Sequence, residues 1–206
     1  MAELPAVCFP DDEEALRQRL KELKNRGISE VWADNIYGIP MALALGFSVH
    51  GGSGLNIANR PSAGCYARKR LLRSITASAE LTMPEIRALR GIGVPVGMIV
   101  YGHIPLMRFR CCPVRAFEGC AACRERGALT DRKGVVFPVE CGDRKYSSLL
   151  NSVPLDVIGR DEPADFRVLW FTRETREQAK TVIGRALRRE RTKSPHTTGL
   201  YYRGII

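Results

Sequence analysis

Residues 28–54, ISEVWADNIYGIPMALALGFSVHGGSG, decide the fold class of this chain. Residues 28–33 (ISEVWA) are mostly apolar and β-prone, which predicts a buried strand. A short helix is expected around 39–45, because Gly46 suits a helix end, and 47–50 predicts the next strand. The glycine-rich turn at 51–54 follows that strand. A plain tight turn is the commoner structure for such a segment, and backbone approach to an anion is the alternative.

The same alternation of strands and helices extends over residues 4–101. Further strands are predicted at 4–9, 73–78 and 94–101, and Thr82 with Glu85 forms a capping-box pattern at the start of one helix. The resulting β-α-β-α-β-α-β-α-β order is typical of a parallel sheet with helical crossovers. Five strands fit an open sheet or part of a barrel, and a complete (β/α)8 barrel takes about 250 residues. We therefore predict an α/β fold with a partial (β/α) TIM-type barrel of parallel strands.

Five of the seven cysteines lie in residues 101–141, YGHIPLMRFRCCPVRAFEGCAACRERGALTDRKGVVFPVEC. Thiolates repel one another, so their close approach requires a zinc ion, an iron–sulfur cluster or disulfide bonds. Buried free thiols are the alternative. The C-x7-C-x2-C-x17-C spacing predicts a metal centre and tolerates zinc and iron–sulfur equally, with Cys111 left over. The four expected ligands are Cys112, Cys120, Cys123 and Cys141.

The N-terminal residues, MAELPAVCFPDDEE, contain no apolar segment of the kind found in signal peptides. No apolar run in the sequence approaches the roughly 18 residues that a membrane span needs. We therefore expect a cytoplasmic protein without membrane contact. A reducing compartment disfavours disulfide bonds and favours a metal at the cysteines.

The formal net charge is +10, and it is unevenly distributed. Residues 167–206 contain ten Lys/Arg against three Asp/Glu, and residues 60–73 contain five basic residues and no acid. Such clustering predicts a polyanionic partner, with RNA as the first candidate. A solvated basic face without a specific partner is the alternative. The residues expected to contact nucleic acid are Arg68, Lys69, Arg70, Lys180, Arg185, Arg188 and Arg189.

Several segments together resemble one protein family. They are residues 31–60, 74–89, 100–115, 128–141, 149–157 and 197–204. The most specific part is YG-x-x-PLM, followed by paired cysteines and then by TDRKG-x-x-FP. On these residues the chain resembles the collagenase-like peptidases, family 32 of peptidase class U. It is most similar to the C-terminal region of the long bacterial members.

The resemblance implies a fold based on a (β/α) barrel and a cytoplasmic bacterial protein labelled as a peptidase. Several characterised relatives carry a four-cysteine iron–sulfur cluster and take part in hydroxylation of RNA bases or of a quinone precursor. The resemblance therefore favours a [4Fe–4S] cluster over zinc. The family's N-terminal half has no counterpart here, which implies a fragment or one part of a split protein, with that missing half or a second copy of the chain as the partner.

We predict three segments: a partial (β/α) barrel at 1–107, a Cys-rich metal-binding segment with a β-hairpin at 108–160, and a basic C-terminal strand–helix (α+β) extension at 161–206. The favoured function is a metal- or iron–sulfur-binding part of an RNA-hydroxylating protein. The alternatives are a collagenase-like peptidase and a non-catalytic, zinc-stabilised accessory domain. A Cys–His pair such as His103 with Cys111 is a candidate thiol dyad, and no catalytic residue is assigned.

Overall fold

The predicted parallel strands are present in a computed structural model that describes residues 1–68, 71–123 and 127–204. Five strands pair in sequence order, and each lies parallel to the one before it. This parallel-rich sheet confirms the mixed α/β fold class. The strands are Ala2–Glu3 (β1), Glu30–Ala33 (β2), Ser48–Gly51 (β3), Ser74–Thr76 (β4) and Val96–Gly102 (β5).

A helix lies in each crossover between these strands, as the sequence pattern predicts. At the last of them, Glu85 Oε2 accepts hydrogen bonds from the backbone N–H and the hydroxyl of Thr82, both at 2.7 Å. The predicted capping box is therefore confirmed, and these bonds lower the pKa of Glu85. The helices are Glu13–Asn25 (α1), Gly38–Ala44 (α2), Arg60–Arg68 (α3) and Met83–Leu89 (α4).

The first strand lies nearer the N-terminus than the predicted range of 4–9. Pairing with β2 takes place at Ala2 and Glu3, and the Leu4 N–H donates to the Trp32 carbonyl at 2.9 Å. Pro5 has no N–H with which to extend this ladder. The prediction of a strand over 4–9 was therefore wrong in position, because the apolar run at 6–9 is flanked by two prolines.

Contacts divide the chain into two compact units that interleave along the sequence. The first contains Met1–Ile99, Asp161–Val168 and Gly199–Ile206. Its core includes Val49 and Ile75, which are at most 1% exposed. Tyr201 returns to this core, where its hydroxyl donates to the Ile99 carbonyl at 2.8 Å.

The second unit contains Val100–Arg160 and Leu169–Thr198. It holds an antiparallel sheet whose strand order is β6-β9-β8-β7. Those strands are Pro105–Phe109 (β6), Ala128–Thr130 (β7), Val136–Gly142 (β8) and Tyr146–Leu150 (β9). The other elements here are helices Pro113–Cys123 (α5) and Arg176–Arg188 (α6) and strand Leu155–Asp156 (β10), which pairs antiparallel with the end of β5. Strand Phe166–Trp170 (β11) also pairs with β5.

The turn between β7 and β8 forms where the sequence places turn residues. Asp131 Oδ1 accepts hydrogen bonds from the backbone N–H groups of Lys133 and Val135, at 2.7 and 2.9 Å. Cys141 lies on β8, whereas Cys120 and Cys123 lie on α5. The cysteine-bearing segment therefore combines a helix with a hairpin, and a hairpin alone does not describe it. None of the helices in the described ranges has the length and apolar character to cross a bilayer.

Candidate metal centre

Helix α5 carries the C-x2-C pair, and a break in the helix sets its position. Gly119 interrupts the helix with φ 73° and ψ 159°, a conformation that is essentially restricted to glycine. Cys120 follows this break directly, and Cys123 is the last residue of the helix. The C-x2-C pair therefore lies on a helical turn that follows a glycine break. Cys112 lies two residues before Val114, which is buried.

One cavity of about 630 Å³ brings the cysteines of this region together. Its wall includes all four predicted ligands and the left-over Cys111. Because Cys141 comes from β8 and the others come from α5 and the residues before it, the cavity lies between the helix and the sheet of the second unit. Its described lining residues are Arg110, Cys111, Cys112, Arg115, Ala116, Cys120, Cys123, Val139, Cys141 and Arg144.

The thiols of this cavity are chemically available. All seven cysteines of the chain are among the described residues, and none forms a disulfide bond. Cys111 and Cys120 are exposed, while Cys112, Cys123 and Cys141 are half-buried. Soft thiolates of this kind are ligands for zinc and for iron–sulfur clusters. However, no three His, Cys, Asp or Glu side chains of the described residues are grouped closely enough to hold a single metal ion.

Because Gly127 has no side chain, its backbone can lie close to Val114 and Cys123. A Cβ atom at this position would lie 2.8 Å from a methyl group of Val114 and 3.1 Å from the Cys123 sulfur. Only glycine permits this approach without displacing the thiol. Sequence reasoning did not identify Gly127, because a single glycine after a helix also has the ordinary interpretation of a helix end.

Arg173 stabilises the strands behind the cavity. Its Nη1 donates to the carbonyls of Gly127 and Val139, at 3.3 and 3.2 Å. The neighbouring Glu174 accepts hydrogen bonds from the backbone N–H groups of Thr172 and Arg173. Burial raises the pKa of Glu140 on β8, and the charges of Arg108 and Arg173 offset part of that increase. Hydrogen bonds from Arg173 to the Gly127 and Val139 carbonyls therefore hold the residues beside the cavity in place.

The residues predicted to bind nucleic acid differ in their availability. On α6 and at its end, Lys180, Arg188 and Arg189 are exposed, and Arg188 Nε pairs with Glu190 Oε1 at 2.9 Å. Arg185 is largely buried, and its Nη2 forms an ion pair with Asp156 Oδ2 at 2.5 Å. The charge of Arg185 is therefore paired within the protein.

In the first unit, Arg68 at the end of α3 is exposed, and its Nε donates to the Gly64 carbonyl at 3.2 Å. The bond is an ordinary contact within one helix, and it leaves the charge at the surface. Lys69 and Arg70 lie outside the described residues. Of the three predicted nucleic-acid contacts in this segment, Arg68 is therefore the one that the structure describes.

The carboxyl ends of the parallel strands carry polar residues that the fold uses internally. Asp34 is 5% exposed, and its two oxygens accept hydrogen bonds from the Gly54 N–H at 2.8 Å and from Trp32 Nε1 at 2.9 Å. A side chain at Gly52 would overlap this carboxylate. The glycine-rich turn therefore packs onto Asp34, in agreement with its interpretation as a structural turn.

His103 and Cys111, the candidate thiol dyad, line two different cavities in the part of the chain that the structure describes. Cys111 lines the cysteine cavity, whereas His103 lines a separate cavity of about 490 Å³ with Tyr101 and Glu174. His103 Nδ1 donates to the Asn151 carbonyl at 2.7 Å, assuming that this ring nitrogen carries the proton. The geometry gives the thiol-peptidase hypothesis no support.

Comparisons of the chain with models of known protein families, with curated proteins and with solved structures find no match.

Proposed function

We propose that this chain is the iron–sulfur-binding part of an RNA-modifying protein related to the collagenase-like peptidases. The observation that carries the proposal is the cavity that collects Cys112, Cys120, Cys123 and Cys141 from two different elements. The ligands of a shared cofactor must line one cavity, and these four cysteines do so together with the left-over Cys111.

The family resemblance favours a cluster over a single zinc ion, and the separation of the thiols is compatible with one. Zinc requires four ligands at about 2.3 Å from one point. No three His, Cys, Asp or Glu side chains within the described ranges meet around such a point. A cluster spans a wider gap, because its own iron and sulfide atoms occupy the space between the thiolates. When bound, a [4Fe–4S] cluster would supply electron transfer to the modification reaction.

The distribution of charge supports RNA as the substrate. The chain has a net charge of +10, and exposed cations lie on α6 and at the end of α3. Lys180, Arg188, Arg189 and Arg68 are the described members of the predicted set that remain at the surface. Phosphate groups of RNA are the polyanion that such surfaces attract most generally.

The family resemblance also contributes to the proposal for the fold and the partners. The parallel sheet β1 to β5 would correspond to part of a (β/α) barrel. The partner would be the N-terminal half of the family's fold or a second copy of this chain. The two-residue strand β1, Ala2–Glu3, lies at one edge of the parallel sheet, and a partner strand would pair with the sheet at that edge.

Serine variants of the cysteines test the proposed cluster ligands. We expect protein purified without oxygen to bind iron and sulfide, and Cys112→Ser, Cys120→Ser, Cys123→Ser and Cys141→Ser to lose most of the iron. Cys65→Ser is the matched control, because Cys65 is exposed on α3 in the first unit. Iron retained in all four variants, or lost equally in the control, would overturn the assignment.

A further inference from the structure

Ser147 on β9 is a fully buried serine whose hydroxyl group forms no hydrogen bond within the fold. The residue is 0% exposed, and its Oγ has no hydrogen-bond partner among the described residues. Transfer of a hydroxyl group from water to such a position destabilises the folded state, and buried polar groups of proteins are nearly always paired. The hydroxyl of Ser147 therefore calls for an acceptor that the described residues do not provide in this arrangement.

The pairing of β8 with β9 places this hydroxyl beside one of the cysteines. Ser147 is the direct cross-strand partner of Cys141 in the antiparallel ladder. Side chains of directly opposite residues extend from the same face of a sheet, with their Cβ atoms about 4.5–5.5 Å apart. The next pair of the same ladder illustrates this, because a Cβ atom at Gly142 would overlap the ring of its partner, Tyr146. Ser147 Oγ and Cys141 Sγ are therefore carried by neighbouring Cβ atoms on one face.

That face of the sheet is the one that lines the cysteine cavity. Cys141 and Val139, which lie two residues apart on β8, both belong to the cavity wall, as the two-residue period of a strand requires. The next residue of β9, Ser148, pairs with Glu140 and belongs to the opposite face. Of these two adjacent serines, Ser147 is therefore the one on the side of the cysteines.

The charged residues of the cavity wall suit an anionic group. Arg110, Arg115 and Arg144 line the cavity, and no Asp or Glu of the described residues lines it with them. With four thiolate ligands, a [4Fe–4S] cluster carries a net negative charge, and a hydrogen bond to one of its sulfur atoms favours the reduced, more negative state. A thiolate of Cys141 that ligates the cluster is the acceptor that Ser147 lacks.

We propose that the Ser147 hydroxyl donates a hydrogen bond to the Cys141 sulfur when that sulfur is a cluster ligand, and that this bond raises the reduction potential of the cluster. A serine hydroxyl changes direction by rotation about a single side-chain bond, and the strand pairing supplies the proximity. The inference rests on the proposed function for the identity of the cofactor. It adds a positioning residue that acts on the cofactor through Cys141 and is not itself a ligand.

A redox titration of the iron-loaded chain tests this role. We expect Ser147→Ala to lower the reduction potential by a shift equivalent to about a tenfold decrease in the ratio of reduced to oxidised cluster, or about 59 mV for one electron. Ser147→Thr retains the hydroxyl and should retain the potential. The matched control is Ser148→Ala, which removes the same atom from a residue that is 3% exposed on the other face and should keep the wild-type potential.

The stability of the metal-free chain gives a second measurement that does not depend on the cluster. Because the Ser147 hydroxyl has no partner within the described fold, Ser147→Ala should keep or raise the denaturant midpoint of the metal-free chain. A lowered midpoint would show that the hydroxyl already has a structural partner, such as a bound water molecule, and would overturn the inference.

Iron analysis of the wild-type chain separates failure of this inference from failure of the proposed function. Iron in the wild type, together with equal potentials in Ser147→Ala and Ser148→Ala, would overturn the role of Ser147 and leave the cluster in place. A wild-type chain without iron would overturn the proposed cluster, and the role of Ser147 with it.

Discussion

Substitution of Arg185 tests the ion pair between Arg185 and Asp156. The sequence alone predicts that this arginine contacts nucleic acid, whereas the structure pairs it with a buried carboxylate. Their side chains are 15% and 3% exposed, and Nη2 and Oδ2 are 2.5 Å apart. Apart from this pair, the Asp156 carboxylate accepts a hydrogen bond from the Ile158 N–H at 3.2 Å. Replacing Arg185 with methionine keeps much of the apolar stem and leaves a buried carboxylate without its counter-charge.

The expected cost follows from the burial of this pair. Breaking a buried ion pair by removing one partner costs about 3–5 kcal/mol. At about 2–4 °C per kcal/mol for a chain of this size, Arg185→Met should lower the Tm by about 6–20 °C. The matched control is Lys180→Met on the exposed face of the same helix, whose Tm should stay within about 2 °C of wild type.

Thermal unfolding followed by circular dichroism, together with RNA binding, decides between the two roles. Lys180→Met should weaken the salt dependence of RNA binding, and Arg185→Met should leave it unchanged while lowering the Tm. The double variant Asp156→Asn/Arg185→Met should recover part of the lost stability, since no buried charge remains unpaired. A Tm for Arg185→Met equal to that of Lys180→Met would refute this account of the pair.

Three further predictions concern the cavity and its support. Gly119→Ala should cost about 1–3 kcal/mol in a denaturant titration, because its backbone conformation is restricted to glycine, whereas Gly184→Ala inside α6 should not destabilise the chain. Gly127→Ala should reduce the bound iron, since the added Cβ would crowd both Val114 and the Cys123 sulfur, and unchanged iron would contradict this role of Gly127. Glu140 has a raised pKa, so the folded state binds its proton more tightly than the unfolded state does. Its contribution to stability is therefore present below the unfolded pKa and is lost as the pH rises through the folded pKa. Glu140→Gln should flatten this loss in pH-dependent denaturant titrations, and an unchanged pH profile would contradict the assignment.

Local patterns in the sequence were sufficient to predict much of the secondary structure of the first unit. The apolar runs at 28–33 and 94–101 predict strands because a parallel sheet buries both of its faces. Thr82 with Glu85 predicts a helix start because the bonds involved lie within four residues. These interactions are short in sequence, and the residue types alone indicate them.

Interactions between distant segments could not be predicted in this way. Arg185 and Lys180 are both basic residues of α6, and the local sequence does not distinguish them. Only the ion pair with Asp156 shows that Arg185 uses its charge within the protein. Likewise, the three arginines of the cysteine cavity come from three segments, and no spacing rule brings them together. The four-cysteine set could be proposed from its spacing in the sequence. That the three arginines lie beside it could be seen only in the folded structure.

The iron, sulfide and zinc content of the chain purified without oxygen tests the central claim most directly. We expect about four irons and about four sulfides per chain, with a broad visible absorbance that Cys123→Ser abolishes. One zinc per chain and no visible absorbance would contradict it and would make the cysteines a structural site. A chain that binds neither metal would contradict the shared cysteine site itself.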